Sequence, residues 1–271
     1  MMIPLMDSYR VASPAARAAC GLAVALLAML APGEAGAQAT SSGVSQAETL
    51  LFETDHLARI KPPAVLVYEF RKVSNVEQGF NDKVQLNLAS SKGKTSTTLD
   101  FLSGTHKHAI PALEDAHGNP ILLGFLERDI AEMKRLTGGS SAYFRKRIRM
   151  ALAEGAKVST QTIRYQGKSL PAQALRIQPY LNDPMHARFE PYVHKTYTFV
   201  ISEQVPGGVY QLRSSLENGG ASAGTGSGSA KPAASGASAK GAPGTTGGGP
   251  GAPLPAIDET LTLVSVTHPG R

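Results

Sequence analysis

"GNPILLGFLERDIAEMKRLTGGSSAYFRKRIRMALAEG", residues 118–155, repeats its apolar positions at helical spacing inside a chain that otherwise alternates with a period of two. Asn119 supplies an N-cap, Pro120 suits the first turn, and "TGG" stops the helix. Leu122, Phe125, Leu126, Ile130 and Met133 then share one side. A second helix begins at Ser140 or Ser141 and closes at Gly155, with Phe144, Ile148, Ala151 and Leu152 on its apolar side. Joined by Gly138 and Gly139, the two form a helical hairpin over 119–155 with one apolar face to bury.

On either side of the hairpin the sequence predicts about eight strands, at 65–72, 83–90, 95–102, 158–166, 169–178, 194–203, 208–216 and 259–267. The links "SKGK", "QGK" and "QVPGG" are short and rich in turn residues, which makes the pairing antiparallel. Each strand has one apolar face that needs a cover, and the helical hairpin between the third and fourth strands is the expected one. The expected fold class is α+β: a curved, half-barrel-like antiparallel sheet with the two-helix hairpin inserted on its concave face.

The ends decide the setting. Arg10 and Arg17 precede an apolar run over 18–30, and Ala35 and Ala37 follow in an A-x-A pattern, so residues 1–37 read as an export signal cleaved after Ala37, with Ala39 the second choice. The run is shorter than the roughly 20 residues needed to span a bilayer. A periplasmic or secreted mature chain is expected, not anchored in the membrane. Cys20, the only cysteine, falls inside the signal and ahead of most of its apolar run, against lipid modification. The mature chain then has no disulfide, thiolate metal site or thiol nucleophile. Its net charge stays at +6, which outside the cytoplasm favours anionic envelope components over nucleic acid.

Residues 218–253 hold 12 Gly, 9 Ala, 5 Ser and 4 Pro and cannot build a core, so a disordered loop is expected there. A strand pattern resumes after it. The single sheet domain is therefore expected over 38–217 and 254–271, with 208–216 and 259–267 forming a hairpin whose tip is enlarged.

With its export signal, curved antiparallel sheet and helical plug, the chain resembles the lipoprotein-carrier half-barrels of the LolA and LolB type, in order of elements over most of the mature chain. A separate periplasmic family of the same build is the alternative. The resemblance implies a carrier of lipid or lipoprotein, and no functional residue is carried over by it.

Asp129 stands in the middle of the apolar arc of the first helix, where a carboxylate needs a partner. Arg145 and Arg147 of the second helix are the expected partners, in a structural ion pair. Arg145, Lys146 and Arg149 form a basic surface, read as a solvated face or as a site for anionic lipid, lipopolysaccharide or peptidoglycan carboxylate. His106 and His108 read as exposed histidines of a turn or loop, with no metal expected; the alternative is half of a metal site that His117 or Asp115 would have to complete. The connection over 180–197 reads as a lid or as a crossing loop pinned by Phe189 and Tyr192. There is no G-x-S-x-G elbow and no phosphate loop, so no enzyme activity and no cofactor is expected.

The expected role is a non-catalytic carrier or scaffold that holds an apolar or amphipathic envelope ligand, or a partner protein, between sheet and helices. Its lining would be Leu66, Tyr68 and Phe70 of the first strand, Leu86 of the second, and Leu99 and Phe101 of the third. Tyr197 and Phe199 of the sixth strand, with Phe125 and Phe144 of the helices, complete it. The rivals are an interaction module using the basic helix over 141–154, and a hydrolase with an unrecognised site.

Overall fold

The computed structural model of the chain describes residues 43–91, 93–216 and 254–269. The expected export signal over 1–37 and the glycine-rich loop over 218–253 lie outside the described residues.

The fold is α+β, with one large antiparallel sheet that does not close into a barrel. Three strands come first: β1 (Ala64–Ser74), β2 (Phe80–Ser91) and β3 (Lys94–Phe101). Two-residue strands β4 (His108–Ala109) and β5 (Leu113–Glu114) both pair with β3. They are too short to leave an alternation in the sequence, which is why the sequence predicts eight strands and the described residues form ten. The second group is β6 (Lys157–Tyr165), β7 (Lys168–Ile177), β8 (Thr196–Ile201) and β9 (Val209–Leu216), followed by β10 (Ile257–Thr267). The order across the sheet is β4-β3-β2-β1-β10-β9-β8-β7-β6. The expected hairpin of β9 with β10 is present, and the far side of β10 pairs with β1 over ten residue pairs. β10 is therefore the seam between two meanders.

Among the described residues the helices are α1 (Gln46–Glu48), which runs on into a π-helical stretch at Thr49–Glu53, and the hairpin of α2 (Pro120–Thr137) and α3 (Ser141–Glu154). Asn119 caps α2 through its side chain, as the sequence predicts, and Ser140 caps α3. A capping box between Ser45 and Glu48 starts α1. That S-x-x-E signal is plain in the sequence, and the short apolar set Ala47, Leu50 and Leu51 follows it at i, i+3, i+4.

Inward positions on neighbouring strands fall into register rows. Leu175, Phe199, Leu212, Leu261 and Phe70 are successive neighbours across five strands, and all are buried. α2 lies so close to this face that a Cβ on Gly124 would come within 2.7 Å of Leu99 and 2.8 Å of Phe101. The ten residues expected to line a ligand site are buried throughout, the most exposed being Leu99 at 7 %. They pack against one another as core.

Gly124→Val should therefore overpack the joint between α2 and β3 and lower stability by about 2–3 kcal/mol, measured by urea unfolding. An unchanged unfolding midpoint would show that the helix does not rest on Leu99 and Phe101.

Candidate functional site

The row next to the apolar one is polar. Tyr197, Ser214, Glu259 and Lys72 are successive register neighbours on β8, β9, β10 and β1, and all four are buried beneath α2. Because side chains alternate along a strand, each of these residues occupies an inward position that the sequence pattern reserves for apolar groups. The helix answers them with Arg128, Asp129 and Glu132.

Asp129 is wholly buried. Its Oδ1 accepts hydrogen bonds from Lys195 Nζ at 2.7 Å and Ser214 Oγ at 2.8 Å, and its Oδ2 accepts one from Tyr197 Oη at 2.5 Å. The expected pairing with Arg145 and Arg147 is thus corrected: the partner is Lys195, at the end of the connection leading into β8. The arginines lie at the two edges of α3 and meet carboxylates there. Arg145 forks onto Glu127 at 2.8 and 2.6 Å, and Arg147 Nε lies 2.7 Å from Asp183. Burial pushes the Asp129 carboxyl upward. The Lys195 charge and the three hydrogen bonds outweigh that, so the net direction is downward and the group stays ionised.

Further along the row, Lys72 Nζ lies 3.1 Å from Glu259, 2.6 Å from Glu77 and 3.4 Å from Glu132. Arg128 reaches Glu259 at 2.5 Å and lies over the Phe70 ring at 4.8 Å. Arg135 closes the open end by binding Glu132 at 2.6 Å and Glu77 at 2.8 Å. Three cations thus meet three carboxylates. Burial would raise the Glu132 carboxyl, but Lys72, Arg135 and Arg128 bring it below its ordinary value. The Asp129 end is buried and both of its carboxylate oxygens are engaged, so the row anchors α2.

α3 is held differently. Phe144 meets Tyr180 and Phe189 edge to face, with centroids 5.7 and 5.9 Å away. Asp183 accepts from Tyr143 Oη and from the Met185 amide at 2.7 Å. The connection over 180–197 is thereby pinned through Tyr180, Asp183, Phe189 and Lys195, all buried, and Tyr192 packs at the edge of the core.

At the far end of α2, Asn119 does more than cap. Its Oδ1 accepts from the Ile121 amide at 3.1 Å, while its Nδ2 donates to the Gly207 carbonyl at 2.8 Å and to Tyr68 Oη at 3.0 Å. Its backbone N–H donates to Nδ1 of buried His56 at 3.3 Å, which leaves the proton on Nε2, donating to the Leu50 carbonyl at 3.0 Å. Burial lowers the His56 pKa, against smaller raising effects of the Leu50 bond and of Asp55. Gly208 has φ +71° and lies where a Cβ would reach within 2.6 Å of the imidazole. A cleft of about 420 Å³ opens beside His56, with Arg59 and Glu203 on its rim. None of the ten expected lining residues borders it.

His106 and His108 do not share a strand face as expected for a metal pair. His106 ends a 3₁₀ turn and stacks on Phe80 with centroids 3.8 Å apart, while His108 belongs to β4 and meets Phe101 edge on. Among the described residues no group of three or more His, Cys, Asp or Glu has metal-binding geometry. On the basic surface, Lys146 and Arg149 are exposed and have no acidic partner among the described residues. With Ala142, Met150 and Ala153 they border an open groove of about 410 Å³, and Glu48 and Glu154 also contribute to it.

Asp129→Asn should cost about 3–5 kcal/mol in urea unfolding, because it leaves the Lys195 ammonium buried without its counter-charge. Adding Lys195→Met should recover part of that loss, and purely additive losses would rule out the pair. Since His56 is depressed in the folded state, its contribution is complete above about pH 6.5 and is lost as pH falls toward the folded value. Stability measured between about pH 5 and 7 should therefore slope less steeply in His56→Gln than in the wild type.

Comparison with known proteins adds no assignment to these residues: no family model matches the chain, and no curated protein matches it.

Proposed function

We propose that this chain is an exported, non-catalytic scaffold that meets an anionic envelope surface through α3. The observation that carries the reading is the division of labour on that helix. Phe144, Ile148 and Leu152 are consumed by the core, Arg145 and Arg147 by carboxylates, and Lys146 and Arg149 remain free beside the groove with Met150. The pair lies three residues apart, on one exposed side of a helix that is fixed at both ends. Two cations held by a rigid helix suit phosphate-bearing lipid headgroups, the anions most abundant at such a surface. Export is supported by the charged and apolar pattern of residues 1–37. Among the described residues no helix is long and apolar enough to cross a membrane. The likeness in element order to the LolA and LolB type supports the envelope as the setting.

A carrier role between sheet and helices finds less support. A ligand there would have to displace α2 from ion pairs with Glu259, Lys72 and Lys195, and the ten candidate lining residues already fill the space. The two roles separate experimentally, since lipid extracted with organic solvent from the purified protein would favour the carrier.

The expected result for the surface reading is salt-sensitive binding to phosphatidylglycerol vesicles. Lys146→Gln with Arg149→Gln should weaken it by about 2 kcal/mol, close to thirtyfold, at unchanged melting temperature. Equal binding by wild type and double variant removes α3 from the interface.

A further inference from the structure

The two edges of the sheet are treated differently. At one edge β3 is covered by β4 and β5, which pair with its two ends. At the other edge β6 has β7 as its only strand neighbour among the described residues. Its nine residues keep an unbroken register with β7, and contain no proline, glycine or bulge of the kind that protects natural edges. Ser159, Thr160, Gln161 and Thr162 are all exposed, and the only charges are Lys157 and Arg164 near the two ends.

The turn after β6 fixes which backbone groups are open. Gln166 and Gly167 have φ of +47° and +78°, a two-residue turn of type I′, so Tyr165 and Lys168 form its closing hydrogen-bonded pair. By alternation Lys157, Ser159, Gln161, Ile163 and Tyr165 spend their amides and carbonyls on β7. Val158, Thr160, Thr162 and Arg164 turn theirs outward. The Arg164 carbonyl bears this out, since it accepts a hydrogen bond from Tyr210 Oη at 2.9 Å.

We propose that β6 is the interface for a second copy of this chain, the two β6 strands pairing antiparallel about Gln161. That register sets the central outward-facing residues of the two strands opposite one another, while the Arg164 carbonyl at the end stays with Tyr210 of its own chain. It sets outward-facing Thr160 opposite Thr162 of the second copy, so their amides and carbonyls exchange hydrogen bonds on both sides of the two-fold axis. Lys157 falls opposite Tyr165 and Arg164 opposite Val158, so no cation meets a cation. The uncharged threonine pair at the centre suits self-pairing, because β-branched side chains pack and bond well across strands. The result is one continuous sheet running through both copies.

The test is sedimentation velocity on the whole chain, loaded from about 1 to 300 µM, a range suited to an interface of modest area. Wild type is expected to pass from monomer to dimer within it. Thr160→Lys with Thr162→Lys places two like-charged pairs across the axis and should raise the dissociation constant about tenfold or more. Thr160→Lys with Thr162→Glu places opposite charges in the same positions and should restore the dimer. Both sites are exposed on β6, so circular dichroism should show all three proteins folded. A wild type that stays monomeric overturns the proposal, even if it takes up an unrelated extended peptide. Equal association by all three proteins overturns it too, as does a monomeric charge-paired variant.

Discussion

The place of α2 depends on charge neutrality where water does not reach. Arg128, Asp129 and Glu132 enter a row of the sheet that already holds Lys72 and Glu259, and each of these charges is stable there only because another answers it. Such a row adds less net stability than leucines of the same volume, yet it tolerates only one alignment. A slide of the helix by one turn would leave Asp129 against Phe199 or Lys72 without Glu132. Gly124 against Leu99 and Phe101 opposes the same slide by sterics. The network therefore sets the register of the helix, and the helix in turn sets where Asn119 caps it and where α3 begins.

Much of this was legible in the sequence, and the missing parts have physical reasons. The eight long strands declare themselves through alternation, and both long helices through caps, stripes and glycine stops. Asp129 stood out because it interrupts an apolar arc. The same logic, applied to the strands, marks Lys72 as the next inward position after Leu66, Tyr68 and Phe70, and Glu259 as the one between Ile257 and Leu261. What a single sequence does not encode is which distant segment supplies the counter-charge. Arg145 and Arg147 are the cations on the flanks of the neighbouring helix, whereas Lys195 is 66 residues from Asp129 and arrives through the folding of a long connection. The aromatic letters of the carrier reading were equally ambiguous. Tyr68 and Phe144 look alike in a cavity wall and in a core, and the difference is whether α2 touches the sheet, which Gly124 allows it to do.

The basic string in α3 shows how packing thins out a charge cluster. Four cations in five positions suggest a strong patch, but the carboxylates of Glu127 and Asp183 claim two of them. An exposed pair such as Arg145 with Glu127 is worth at most about 1 kcal/mol, so it orients the arginine more than it holds the helix. The surface left to a partner is defined as much by these internal claims as by the residues that escape them.

The seam position of β10 also bears on the order in which the protein can be made. Among the described residues the strand at the middle of the sheet is the last of the ten along the chain, so it is the last of them to leave the ribosome. Until it does, β1 to β3 and β6 to β9 are two separate ribbons with no backbone bond between them, and Glu259 is missing from the row that must neutralise Arg128 and Lys72. Local hairpins can therefore form before the sheet is complete, and the core closes only when β10 has paired on both sides.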